Sequence, residues 1–310
     1  VPTKADGGNG HYKHIASLND DKIHNLQIGK VDIKFGSKSK NGFMFISKLG
    51  TVMDIAKPET AKDYIRTLST EITDGMNGEN TTEEDASTGT TIAYAEGTWD
   101  QGKHQLGSTA AEETKNDNKV SGSTAEKLQG LGSKINIFTP KVTLASKEGI
   151  AYMGDNKGII EVGTAANKVK TTAVNYGAII GYARNKGQVN ISGEVIAQDK
   201  NTTSDDNKYK NIAAFAESGG EVNIRGKVTI NGIGAFAKGA NSKAQLLSGK
   251  DVINAGTVGG MVATDHGYAR LDGGTINITK DNSRLFYADA TGRIDFTKNT
   301  TINMSKGILL

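Results

Sequence analysis

Val189/Ile191, Val222/Ile224, Ala269/Leu271 and Ile294/Phe296 place apolar residues two apart with polar residues between them. A period of two marks a strand with one face buried. Each pair follows a short apolar segment that ends near an alanine, at Ala183, Ala216, Ala237, Ala263 and Ala288. Four residues beyond each alanine comes a turn residue, at Gly187, Gly220, Asn241, Gly267 and Gly292. These turns lie 33, 21, 26 and 25 residues apart, and the longest interval holds the polar run Asp199 to Lys210. A strand–turn–strand phrase repeated at that interval predicts a solenoid.

The strands are too short for one coil to bury its inward side chains alone. Stacking coil on coil at about 4.8 Å sets each inward residue on its equivalent in the next coil. The pattern therefore predicts an all-β chain folded as a right-handed parallel β-helix, with roughly eight to ten coils spanning about 40–50 Å at strand spacing. Glycine and asparagine at the corners are expected to supply positive φ. Asn190, Asn223, Asn277 and Asn303 fall on outward positions and are expected to share one row. Stacked amides can form hydrogen-bonded ladders, but an asparagine solvated on the wet face is the expectation here.

The first half carries the same phrase in scattered copies. Leu26, Ile28, Val31, Ile33 and Phe35 read as strands, and Phe43–Ile46 and Thr91–Ala95 as copies of the apolar segment. Between them, Ala61, Tyr64, Ile65, Leu68 and Ile72 have helical spacing. Pro58 in the first turn and Gly75 past the end predict a helix over Pro58 to Thr73. Met76 to Thr90 then reads as a polar, acidic loop. A second departure begins at Glu96, and Ser123 to Glu126 resembles a capping box within it. The organisation expected is one solenoid over 1–310, with an inserted helix and loop at 57–90, an inserted polar loop at 96–132 and regular coils over 135–310. Smaller loops are expected at Thr164 to Thr172 and Asp199 to Lys210.

Composition narrows the function. Of 310 residues 39 are Gly and 3 Pro, and there is no Cys, which removes any disulfide or thiolate metal framework. The formal net charge of +3 comes with no basic run and no interleaved aromatics, which gives nucleic-acid binding no support. No apolar run is long enough to span a bilayer, so this segment is not expected to be membrane-embedded. His11 and His14 lack the further ligands a metal site needs. Neither a metal nor a cofactor is expected. No paired carboxylates, nucleophile set or phosphate loop stands out, so no enzyme is expected, although parallel β-helices do host polysaccharide-active enzymes. Recognition is expected in the inserts, because loops on a rigid shaft carry binding. Trp99, Asp100 and His104 form one candidate ligand-binding set and Tyr64 with Arg66 a second. Trp99 either grips a ligand or plugs its own loop against the shaft, and Tyr64 is equally suited to a core contact.

The phrase running from Ala213 through Phe215, Gly219, Gly220, Val222, Asn223 and Ile224 to Ile230 resembles the passenger repeats of bacterial autotransporters (type V secretion). Its Lys/Asn-rich wording looks most like the large fusobacterial RadD-like outer-membrane adhesins. The resemblance covers Val142 to Leu310 well and the first half only in scattered copies. It implies an extracellular passenger on the bacterial outer membrane, a monomer that attaches to a host-cell receptor or glycan or to a partner bacterium. The phrase ends in mid-course at Ile308 to Leu310, which implies a passenger fragment continued by further coils. The resemblance carries over no binding residue. A purely structural stalk and a polysaccharide-active enzyme are the alternative readings.

Overall fold

The computed structural model describes residues 25–28, 39–56, 71–75, 77–98, 131–199 and 209–308. Over these residues the chain is a parallel β-helix. It visits three sheets in fixed rotation, and every strand pair is parallel and joins one coil to the next. The first face includes Phe43–Lys48, Thr91–Glu96, Ile150–Asp155, Ile179–Arg184, Asn211–Glu217, Met261–Thr264 and Phe286–Ala288. The second face is a nine-stranded sheet from Asn25–Ile28 to Arg293–Phe296. The third runs from Glu71–Thr73 to Thr300–Met304. Nine rungs at strand spacing make a shaft about 40 Å long.

The inward side chains form columns along the axis. On the second face Met53, Ile135, Ile160, Val189, Val222, Ala244 and Ala269 stack in register, and Ile55, Ile137, Val162, Ile191, Ile224, Leu246 and Leu271 form the neighbouring column. All of these are buried. Each buried Val, Ile or Leu contributes about 1.5–3 kcal/mol. The first face supplies a thinner column, Ala95, Ala183, Ala216, Ala237 and Ala263, with Gly154 between the first two.

The corner from first to second face is a tight turn closed by a backbone hydrogen bond, as from Gly187 N–H to Arg184 O at 2.8 Å. Its two central residues take positive φ: Asn156 and Lys157, Asn185 and Lys186, Ser218 and Gly219, Asp265 and His266. The expected positive φ falls on asparagines Asn156, Asn185 and Asn241 but not on Gly187, Gly220, Gly267 or Gly292; the first three of these glycines directly follow a positive-φ pair. All four are glycines because of crowding. A Cβ there would lie 2.0–2.3 Å from the carbonyl oxygen of Gly154, Ala183, Ala237 or Ala263 in the coil below. In the third copy the register places Ser242, not Asn241, opposite Gly220, because that corner is one residue longer.

Other expectations are corrected. Residues 57–70, where most of the inserted helix was expected, lie outside the described residues. Glu71–Thr73, at its expected C-terminal end, is a strand paired with Lys141–Thr143. Ile72 is buried in the common core, so the apolar residue counted toward a helical face serves a strand. The expected loop at 76–90 projects less than supposed. Thr88 exchanges backbone hydrogen bonds with Ser39 and Asn41 below, while Ser87 and Gly89 bond Lys147 above. The small loop at 164–172 ends earlier, since Lys170–Ala173 is a strand.

The asparagines occupy two rows on different faces, and both rows form amide ladders. On the third face Asn254 donates to Asn231 at 2.7 Å, Asn277 to Asn254 at 2.8 Å and Asn303 to Asn277 at 2.9 Å. On the second face Gln245 donates to Asn223, Asn223 to Asn190 and Asn190 to Glu161, at 2.7–3.1 Å. Parallel in-register stacking sets identical amides about 4.8 Å apart, where each can donate to the next. One coil differs from the rest. The eleven-residue strand Val228–Lys238 passes from the third face to the first with no corner loop, its C-terminal half pairing in register with Asn211–Glu217.

Candidate functional site

The three faces differ in what they show to solvent. The second carries amides and charges, and the third carries threonines and asparagines at many outward positions. The first carries apolar and aromatic rows. One row reads Ile46, Tyr94, Met153, Tyr182, Phe215, Phe236, Val262 and Tyr287 from coil to coil, with Met153 and Val262 buried between their neighbours. A parallel row reads Phe43, Thr91, Ile150, Ile179, Ile212 and Ile233.

In-register stacking fixes the ring geometry. Tyr182 and Phe215 lie 4.9 Å apart at 5° between planes, and Phe215 and Phe236 4.8 Å apart at 26°. Ring faces are thus used up along the axis, and edges point outward. With Ile150, Ile179 and Ile212 beside them, the rings make a continuous apolar strip that is half-buried by its own members.

A charged row borders the strip on the corner side: Lys48, Glu96, Asp155, Arg184, Glu217 and Lys238 in register. Lys48 pairs with Glu96 at 2.7 Å, and Arg184 with Asp155 at 2.7 Å. Asn185 also donates to Asp155, at 2.9 Å, and the Tyr182 hydroxyl donates to Glu217. The hydrogen bond from Lys48 holds the Glu96 carboxyl below its usual range. Burial pushes Asp155 up, but hydrogen bonds from Arg184 and Asn185 outweigh it and the carboxyl lies below its usual range. Burial, with help from Glu217, pushes the Tyr182 phenol up to about 12. Glu96 and Asp155 are two carboxylates that are neighbours in register on this face. Both are ionised at neutral pH and committed to cations, which suits neither to donate a proton.

Trp99, Asp100, His104, Tyr64 and Arg66 all lie outside the described residues. The ends of their inserts are placed. Thr98 and Gly132 form an antiparallel bridge, and Ser133 N–H donates to Gly97 O at 2.8 Å, so the 96–132 insert leaves and returns through one neck. That neck sits at the end of the strand that supplies Glu96, beside the charged row. The apolar strip was missed in the sequence, although its signal is there. The residue before the alanine is aromatic in Tyr94-Ala95, Tyr182-Ala183, Phe215-Ala216, Phe236-Ala237 and Tyr287-Ala288.

No protein-family model, curated protein or solved structure matches the chain. Among the described residues, no group of three or more His, Asp or Glu side chains is placed to hold a metal ion. No helix among them is long and apolar enough to cross a membrane.

Proposed function

We propose that this chain is a stiff segment of a cell-surface adhesin that attaches to a host cell or a neighbouring bacterium through its first face. The observation that carries this reading is the apolar strip from Tyr94 to Phe236, running coil after coil on one face while the second carries amides and charges. Contiguous apolar surface rimmed by charge is the usual composition of a docking surface. The edge-on rings suit an apolar partner surface. The neck formed by Thr98 and Gly132 lies at the strip's charged border. The commitment of Glu96 and Asp155 to Lys48 and Arg184 favours binding over polysaccharide cleavage.

The test is attachment by the purified chain to cells and partner bacteria. I179E with F215E, both outward on the first face, should weaken attachment by about tenfold or more. E221K on the second face should leave it unchanged, with the circular dichroism of all variants the same. Attachment that survives I179E with F215E would remove the first face from the mechanism. Deleting 99–130 separates the insert's share from that of the strip.

A further inference from the structure

Most coils place a loop between the third face and the first. The coil of Val228–Lys238 has none, because its strand runs straight through the corner. Gly232 makes that possible: it takes φ of 134°, and a Cβ there would lie 2.2 Å from Asn211 O in the coil below. The loops on either side overhang the gap. Tyr209 and Lys210 line it from the coil before, Gly256 to Val258 from the coil after, and Lys280, Asp281 and Ser283 from the coil beyond that. The result is a groove of about 440 Å³ with Ile212, Ile233 and Phe236 on its floor.

The groove's walls are held in place. Gly256 lies so close to Tyr209 that a Cβ on it would be 2.8 Å from the tyrosine Cβ. The Lys280 ammonium sits 4.4 Å from the centre of the Tyr209 ring. Phe236 ends the ring stack, since its neighbour in the next coil is Val262. Asp281 at the rim pairs with Lys306 at 3.3 Å. Ser283 is fully buried, and its hydroxyl has no hydrogen-bond partner among the described residues.

We infer that this groove binds a carboxylated sugar residue. Lys210 and Lys280 supply two ammonium groups for one anion, and Asp281 supplies an acceptor for a hydroxyl while opposing a second negative charge. Tyr209, Phe236 and the isoleucines supply apolar surface for the C–H face of a pyranose ring. A compact inorganic anion would leave that surface unfilled, and a neutral sugar would not draw on the positive charge that Lys210 and Lys280 bring to the lining. The volume lies within the range of small-molecule sites, about 300–1,000 Å³. The inference deepens the attachment reading by naming a partner chemistry, and its test uses free sugars, so that it stands or falls separately from attachment.

The purified chain is titrated calorimetrically with glucuronate and with N-acetylneuraminate, and with glucose and acetate as controls. Saturation-transfer NMR reports which sugar protons touch the protein. At least one carboxylated sugar should bind about tenfold or more tighter than either control. K210Q and K280Q, at surface positions, should each weaken that binding about fivefold or more with unchanged circular dichroism. Preference for glucuronate points to uronate polysaccharides as the source, and preference for N-acetylneuraminate points to sialylated glycans. Absence of binding by both sugars overturns the site. So does acetate binding as tightly as the sugars, or full affinity in both lysine variants. A chain that binds neither sugar yet still attaches through Ile179 and Phe215 would lose this groove and keep the attachment reading.

Discussion

Asp74 is 1% exposed and accepts backbone hydrogen bonds from Ala145 and Ser146, yet burial outweighs those bonds and lifts its carboxyl to about 6. The folded chain therefore holds a proton there that the unfolded chain releases near pH 4. Stability on this account is highest below about pH 4 and falls as pH rises toward 6, by at most about 3 kcal/mol. Burial raises Asp251 in the same direction. Asp155, Asp272 and Asp295 are lowered, so their contributions fade only below the ordinary carboxylate range. The thermal midpoint should thus climb between pH 7 and pH 5, and D74N should remove most of the climb. A flat midpoint in the unmodified chain would contradict the burial argument. Gly220 offers a second test. G220A drives a methyl to 2.2 Å from Ala183 O, and urea unfolding should show a loss of about 3 kcal/mol. S242A, opposite it in the longer corner, meets no such carbonyl and should cost about 1 kcal/mol, for the hydrogen bonds its hydroxyl makes with Lys238 O and Gly219 N.

At the scale of strands, the second face was legible because its inward residues are large and alternate strictly, as in Val189/Ile191 and Val222/Ile224. The alanine column was legible as spacing, whereas the glycines' reason was not, since crowding against a carbonyl one coil below is invisible locally. Ile72 was misassigned because its spacing from Leu68 and Ile65 satisfies a helix as well as its burial satisfies a strand. The asparagines were assigned to solvent because a ladder depends on register, which no single strand displays. Asn254 tests the ladder. N254A strands the Asn231 side-chain oxygen and the Asn277 amide donor together, and should cost about 1–2 kcal/mol in chemical denaturation, whereas the same change at an unladdered surface position costs a few tenths. The apolar strip was overlooked because Tyr182 and Phe215 each read singly as an ordinary residue beside an alanine. Only stacking joins them.

Taken whole, the molecule grows along one axis, and additions are confined to corners. The excursion after Ala56 leaves between second and third faces, that after Thr98 between first and second, and that after Asp199 between third and first. No strand register is disturbed by any of them, because in-register pairing resumes on the far side, Met53 with Ile135 across the second excursion included. Among the described residues, the coil that omits its loop produces the groove described above. Loop presence and absence, rather than strand content, thus set the surface relief of the shaft.

The hydrogen bonds joining rungs run parallel to the shaft, and this governs how the chain would yield to tension. A pull between its two ends loads those bonds one rung at a time, as in peeling, instead of shearing many at once. Register partners such as Ala244 and Ala269 are 25 residues apart, so each released coil trades about 4.8 Å of shaft for roughly 80 Å of free chain. Single-molecule extension should therefore show a staircase of separate lengthenings and not one large rupture, the longest step coming from the coil between Met53 and Ile135. A shaft of that kind lengthens under load while the coils not yet reached stay folded.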